Sequence, residues 1–464
     1  MQTEKLIRRF FLPELETDGK STILPIFGPA MPAGSHNGRT AKMDWTKLTL
    51  DQLRSYQAEL ETEYAGYVKQ NLKLDMSRGK PAGTQLDLCD GVLDKLGSCR
   101  TENGTDARNY GGLDGIPEAK KLFSDLLGIP AERLIIGGNS SLNMMYDTVV
   151  RCLLFGTSGQ TPWIKLPKVK FLCPVPGYDR HFAICEELGI EMISVPLLAD
   201  GPDMDLVEKL AAADDSIKGI WCVPLYSNPQ GVCYSDRTVE RLAAMKAAPD
   251  FRIFWDNAYG VHHIYSEEKV ADIFAACTRA GNPDRAFYFF STSKITFPGA
   301  GVALMASSER NVAEIKKHLG IQTIGPDKLN QLRTIRFLKD ADGVRAHMRR
   351  MAAELKPKFD VVLSTLEREL GGTGLAQWTR PKGGYFVSVD TLDNCAKATV
   401  DLAKKAGVTL TGAGAAFPYH RDPRDRNIRL APTYPTLEDL TLAIRLFCVC
   451  VKLAGVSRLI AEKE

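Results

Sequence analysis

Apolar positions along the chain change period several times, and each change marks an element. In residues 48–70, Leu53, Tyr56, Leu60, Tyr64 and Tyr67 recur at helical spacing, with Thr49 and Asp51 as capping candidates. A second helix is predicted over 117–127, entered through Gly115, Ile116 and Pro117. Leu134, Ile135 and Ile136 form a short apolar run that breaks at the glycine-serine stretch 137–141, and a helix over 142–155 follows. Strand-then-helix units recur after that. Residues 169–173 precede a helix from about 179, and 192–196 precede one from about 204. Apolar runs at 219–224, 251–255 and 286–290 complete the series. Repeated β-then-α order predicts an α/β fold with a largely parallel central sheet wrapped by helices on both faces.

The character changes after about Gly325. Residues 327–369 read as long amphipathic helices, followed by a strand over 385–389, a helix near 394–406 and a strand over 428–430. The last helix opens with Thr436, Leu437, Glu438 and Asp439, a capping-box pattern, and continues through Leu440, Ile444, Phe447 and Val451. The expected organisation is a large domain over 106–325 and a smaller α+β domain built from both chain ends, 43–105 and 326–464. Residues 1–42 carry Pro, Gly, Ser and Asn without sustained periodicity and predict a disordered arm. An upstream start codon would explain it, because Met43 opens the first helical pattern.

Bulk properties exclude some classes of function. A formal net charge of +3 on 464 residues is too small to argue for nucleic acid or an anionic membrane as a partner. Arg345, His347, Arg349 and Arg350 lie in a helical pattern and read as a solvated face. The eleven cysteines show neither CxxC nor a ligand-like Cys/His spacing, which points to a reduced, cytoplasmic compartment with core thiols. No signal-peptide core follows the N-terminal basic residues, and no later segment reads as a membrane span. No metal is expected: His262 and His263 are adjacent rather than helically spaced, and no carboxylate or cysteine set completes a site. Neither GxGxxG opening a helix nor a P-loop is present.

Three of the apolar runs end in polar clusters. Residues 219–224 lead to Asn228, Pro229, Gln230 and Gly231; residues 251–255 lead to Asp256, Asn257, Ala258 and Tyr259; residues 287–290 lead to Ser291, Thr292, Ser293 and Lys294. Such clusters at strand C-termini describe a binding crevice along one rim of a sheet. A lone lysine is usually a solvated surface residue, but four aromatic residues precede Lys294 and burial lowers an amine's pKa toward the neutral form that imine chemistry needs. Lysine, aspartate and asparagine in one crevice suit pyridoxal 5′-phosphate. The lysine forms the Schiff base, Asp256 keeps the pyridine nitrogen protonated, and Asn228 and Tyr259 reach the ring hydroxyl. Asp256 could instead be a turn cap, and Asn228 with Pro229 an ordinary turn. The stretch 137–141 ahead of a helix is a candidate anion site, with Ser140 and first-turn N–H groups holding the phosphate. Tyr178, after Pro176 and Gly177, can lie flat on the ring or pack as core. Arg429, between Ile428 and Leu430, can bind a substrate α-carboxylate bidentately, or can form a surface ion pair.

These ordered motifs resemble class I aminotransferases of the fold-type I pyridoxal-phosphate enzymes over roughly residues 70–455. Asn139 and Ser140 match the family's phosphate turn, Tyr178 the stacking aromatic, and Asn228-Pro229-Gln230-Gly231 the Asn-Pro-x-Gly element. Asp256 through Tyr259, Ser291 through Lys294, and Arg429 complete the set. Tyr110-Gly111-Gly112-Leu113 is similar to the segment whose tyrosine reaches the cofactor phosphate of the neighbouring subunit, which implies a homodimer with shared sites. Gly79 resembles the glycine near the substrate, and the wording Ser77-Arg78-Gly79-Lys80-Pro81 is similar to the aspartate aminotransferase subgroup Ic. Two departures stand out. The family places an arginine shortly after the Schiff-base lysine, and residues 295–305 contain none. The cation that would read a distal carboxylate is not marked by a motif; Arg78 is the first candidate, with Lys80, Lys328 and Arg333 as rivals. The resemblance implies an aminotransferase that takes an amino acid and a 2-oxo acid, aspartate with 2-oxoglutarate, by a ping-pong cycle. An alanine or aromatic aminotransferase or a β-lyase would share the same residues. A transcription regulator with an aminotransferase-like domain would need a winged helix-turn-helix ahead of it, and residues 1–42 are too short and aperiodic for one.

Overall fold

The computed structural model describes residues 43–464, so the arm expected over 1–42 lies outside them. An eight-stranded sheet occupies the middle of the chain. In spatial order its strands are Leu134–Ile136, Ala303–Ala306, Ala286–Ser291, Arg252–Asp256, Ile217–Cys222, Lys170–Val175, Glu191–Leu198 and Gly201–Pro202. The five from Ala286–Ser291 to Glu191–Leu198 are mutually parallel, and Ala303–Ala306 runs against its neighbours. Successive residues of these strands serve opposite faces. Ile220, Ile253, Trp255, Tyr288 and Phe290 pack on one side, and Trp221, Phe254, Phe287 and Phe289 on the other. Helices cover both faces, which is why each strand reads as an unbroken apolar run rather than an alternation. Fully burying one such aromatic side chain contributes about 1.5–3 kcal/mol.

Register fixes the rim. Cys222 pairs with Trp255 and Asp256 pairs with Phe289, so three strand ends finish side by side and deliver their polar residues to one edge. The antiparallel strand Ala303–Ala306 and the helix Glu309–Gln322 were not expected from the hydrophobic pattern.

A second core forms around a three-stranded antiparallel sheet of Ala376–Trp378, Val387–Thr391 and Asn427–Leu430. Against it pack Leu355, Phe359, Val362 and Leu366 of the helix Ala341–Leu370, and Leu440, Ile444, Phe447 and Val451 of the helix Leu437–Lys463. The strand expected over 385–389 begins two residues later, after the turn at Gly383 and Gly384. The helical stretch 327–369 is two helices, Lys328–Leu338 and Ala341–Leu370, parted where Lys339 takes a positive φ of 67°. Leu332, Ile335, Leu338, Val344, Met348 and Met351 pack with the large sheet, whereas the helix joins the second core from Leu355 onward.

Two sequence expectations are corrected here. Leu437–Lys463 is long and apolar enough to cross a membrane by length and composition, but 72% of its most apolar window is buried inside the protein. Both ends of the described chain meet on it: Leu48, Leu53 and Leu60 pack with Val449, Leu453, Val456 and Leu459. In the basic cluster, Arg345, Arg349 and Arg350 are exposed, while His347 turns inward and is buried.

Candidate active site

Lys294 follows the wholly buried strand Ala286–Ser291 on a tight turn, in which the N–H groups of Ile295 and Thr296 both donate to the Thr292 carbonyl at 2.8 Å. Its Nζ lies 5.1 Å from the centre of the Tyr259 ring and 6.0 Å from that of Tyr385. Among the described residues it has no ion-pair partner. Burial pushes its pKa below the ordinary lysine range, and the nearby Asp256 carboxylate opposes the shift without cancelling it.

Asp256 ends the adjacent strand. Its Oδ2 lies 3.0 Å from His181 Nε2, both side chains being almost wholly buried, and its Oδ1 accepts the Ala258 N–H at 3.2 Å. The His181 ring is stacked on Trp221 at 4.4 Å with an interplanar angle of 10°. The carboxylate is thus held from behind, with lone pairs left for a further donor. His181 was missed in the sequence. The available signal was its position one helical turn after Tyr178, whose ring lies edge-on to it at 4.9 Å. Tyr259 is buried and Tyr178 half-buried, and burial raises both phenol pKa values.

Asn228 and Arg429 meet at the same rim. Arg429 Nη1 donates to Asn228 Oδ1 at 3.2 Å and to Asp179 Oδ1 at 2.7 Å, and the guanidinium lies over Phe386 at 5.0 Å. Arg429 thus forms an ion pair, but within the crevice rather than at the surface. Its Nε is buried without a partner, so donor capacity remains. Gly79 completes this corner. A Cβ there would lie 2.2 Å from the Phe386 ring, so only glycine lets the segment rest on that ring.

The phosphate-type turn is joined to the lysine turn. Ser291 Oγ donates to Ser293 Oγ, and Ser293 Oγ donates to the Asn139 carbonyl, both at 3.1 Å; the Asn139 amide donates to the Gly299 carbonyl at 3.2 Å. Ser140 is the N-cap of the helix Ser141–Phe155, yet its hydroxyl makes no capping bond. The first-turn N–H groups therefore have no side-chain acceptor, which suits an anion. The stretch 295–305 after the lysine holds no arginine. A Cβ at Gly301 would lie only 3.2 Å from Ser293 N, its carbonyl accepts from Asn330 at 2.8 Å, and Asn330 in turn accepts from Arg333 Nε at 2.9 Å.

Other expected residues stand apart. Tyr110 is 80% exposed, and its ring has no partner among the described residues. Arg78, beside Gly79, is exposed, and its guanidinium has no partner among the described residues. Its rivals are occupied: Lys328 donates to the Gly111 carbonyl at 2.7 Å, Arg333 is bound to Asn330, and Lys80 sits over the Tyr434 ring at 3.8 Å. Chemically, the cluster offers an amine of reduced basicity, a braced carboxylate, amide and phenol groups, a helix start without a side-chain cap and an arginine with donor capacity left over. That donor set fits a phosphorylated pyridine aldehyde.

Comparison with known proteins agrees. The aspartate amino-transferase family matches residues 48–463. An aspartate aminotransferase of Corynebacterium glutamicum is 47% identical over 410 residues, 87% of this chain and 95% of its own. The crystal structure of an aspartate transaminase from C. glutamicum superposes with a TM-score of 0.88 at 45% identity, covering 90% of this chain and all of that one. An α-aminoadipate aminotransferase from Thermus thermophilus shares the fold at 21% identity, with a TM-score of 0.69 and 86% of this chain covered against 98% of its own. The match spans the sheet, the rim and the terminal helix alike, and this chain, an aminotransferase, belongs to the aspartate amino-transferase family.

Proposed function

We propose that the protein transfers the amino group of aspartate to 2-oxoglutarate, giving oxaloacetate and glutamate in two half-reactions at one pyridoxal-phosphate site. The observation that carries the reading is the corner at Phe386: Arg429 lies over its ring and Gly79 rests on it, and the chain neighbour of Gly79, Arg78, is exposed with no partner among the described residues. Bound pyridoxal phosphate supplies an aldehyde that accepts the amino group and a ring that spreads the electrons released at the substrate Cα. Lys294 anchors the cofactor and, once released, its neutral Nζ moves the Cα proton. Asp256, oriented by His181, holds the proton at the ring nitrogen. Asn228 and Tyr259 donate toward the ring hydroxyl, and Tyr178 packs on the ring. Asn139, Ser140 and Ser291 serve the phosphate, with Arg333 the cation tied to that turn through Asn330. Arg429 takes the α-carboxylate and Arg78 the distal one.

The working unit is a homodimer. Tyr110, Ile321 and Ile324 are 80%, 91% and 63% exposed, and Gly325 lies so close to Gly111 that a Cβ would come within 2.5 Å of the Gly111 carbonyl. Tyr110 and Ile324 thus lie on neighbouring loops and Ile321 at the end of the helix Glu309–Gln322, and these exposed apolar side chains support Tyr110 reaching the partner's phosphate site. The core around the three-stranded sheet supports a small domain distinct from the large one, although Cys89, Val92 and Leu332 through Met351 pack with the large sheet. All eleven cysteines are free, which supports a cytoplasmic location.

The deciding experiment is a panel of amino acids assayed with 2-oxoglutarate. Aspartate should give the highest kcat/KM. A preference for alanine or an aromatic amino acid, or release of ammonia and pyruvate, would replace the dicarboxylate reading.

A further inference from the structure

Three groups that the chemistry above does not use converge on the backbone of the cofactor lysine. His262 Nε2 lies 3.3 Å from the Lys294 carbonyl, and the Tyr385 hydroxyl lies 3.5 Å from the same oxygen. His347 Nε2 lies 2.7 Å from the next carbonyl, that of Ile295. A carbonyl only accepts, so each imidazole must carry its hydrogen on Nε2. Both Nδ1 atoms are then bare acceptors, and both are buried without a partner.

The two histidines arrive from separate elements. His262 follows Asp256 and Tyr259 on the large-sheet rim, and its ring stands edge-on to Tyr259 at 5.6 Å and to Tyr385 at 5.7 Å. Its own carbonyl accepts the Gly384 N–H at 2.9 Å, which braces the segment that carries Tyr385. His347 comes from the helix Ala341–Leu370, beside Cys89, whose Sγ lies 3.5 Å from the Ile295 carbonyl. Burial keeps both imidazoles neutral: it lowers His262 to about 3, with the Lys294 charge and His263 adding to the effect, and it lowers His347, with Arg350 adding. A buried imidazole spends an unsatisfied nitrogen at this position, which is unfavourable for stability unless the other nitrogen's bond matters.

We propose that His262 and His347 are positioning residues that clamp consecutive carbonyls of Lys294 and Ile295, so that the reactive amine swings on a fixed root between its cofactor-bound and proton-carrying positions. The proposal rests on Lys294 being the lysine that holds the cofactor. Side-chain torsions alone then carry Nζ between the two positions, and the Tyr259 and Tyr385 rings bound its path. A misplacement of the root by about 1 Å is enough to cost on the order of a hundredfold in rate.

The test compares Gln with Asn at each histidine in the holoenzyme. Glutamine sets an amide N–H about where Nε2 stands, whereas asparagine ends one atom short. His262→Gln and His347→Gln should keep kcat within about threefold of wild type, while His262→Asn and His347→Asn should lose about ten- to a hundredfold in kcat with KM little changed. The pH at which the absorbance band of lysine-bound cofactor shifts should stay at the wild-type value in the Gln variants and move in the Asn variants. If Gln and Asn variants at either position behave alike in both readouts, whether active or inactive, the paired clamp is overturned. Borohydride reduction and peptide mapping of the wild-type holoenzyme test the underlying reading separately: a pyridoxyl group on another lysine sinks that reading whatever the variants do.

Discussion

The rim of the large sheet and the segments that approach it are built on opposite terms. At the rim, Asp256 is braced by His181 and Arg429 by Asp179 and Asn228; strands hold Asp256 and Arg429, a helix start holds Asp179 and His181, and a turn holds Asn228. On the approach, Arg78 and Tyr110 stand exposed with no partner among the described residues. The difference separates two tasks. In the proposed function, the groups assigned to the reacting atoms are those already fixed, and those assigned to substrate choice and to the partner's site are those left without a partner among the described residues.

The comparison breaks most visibly if the rim is not where the chemistry lies. Lys294→Ala should lower turnover on the order of ten-thousandfold and abolish the borohydride-reducible adduct; retention of that adduct would remove the rim from the reaction. Asp256→Asn should slow turnover on the order of a hundredfold, the value of a charge-assisted bond of about 3 kcal/mol expressed at the transition state. If the rate stays near wild type, the Asp256–His181 pair is structural only.

Approach residues should alter choice rather than rate. Arg78→Ala should cut kcat/KM for aspartate by about tenfold to a hundredfold and leave alanine nearly untouched, while Arg429→Ala should depress both. An unchanged aspartate-to-alanine ratio in Arg78→Ala would move the distal contact to another cation.

The smallest effect sharpens the contrast through pH. His262 is held near 3 in the folded protein against an ordinary 6.5. Because the folded pKa is the lower, the unfolded chain takes up the proton first. The stability is intact above about pH 6.5 and is lost as pH falls toward 3. Between pH 7 and pH 5 this costs about 2 kcal/mol. Urea unfolding of His262→Gln should therefore show a pH 7-to-5 loss smaller than wild type by about that amount. Equal losses would mean that His262 is not the neutral buried group described.

Much of the rim was legible because parallel strands buried on both faces read as unbroken apolar runs, and the first polar residues after each run mark the edge. That logic located Asn228, Asp256 and Lys294. It could not locate His181, His262 or His347, whose roles come from atoms 32 to 75 residues away in sequence. In the sequence His262 is only half of an adjacent pair that lacks metal-ligand spacing, and His347 falls on a helical pattern among three arginines. The strand Ala303–Ala306 escaped because four small and medium apolar residues after a glycine-rich turn carry no period of their own. The exposure of Arg78 and Tyr110 has no signature in composition; it depends on what the folded loops leave uncovered.

One more consequence follows from the helix Leu437–Lys463. The helix Leu50–Val68, the first α-helix of the described residues, packs against it, so a segment synthesised early has to wait for one synthesised late. At about 5–20 residues per second that wait is roughly 20 to 75 seconds on the ribosome. Through that interval Leu53 and Leu60 face water or a chaperone, and a message cut short by even thirty codons would leave them uncovered for good. For this chain, a premature stop near the end should be as damaging as one in the middle.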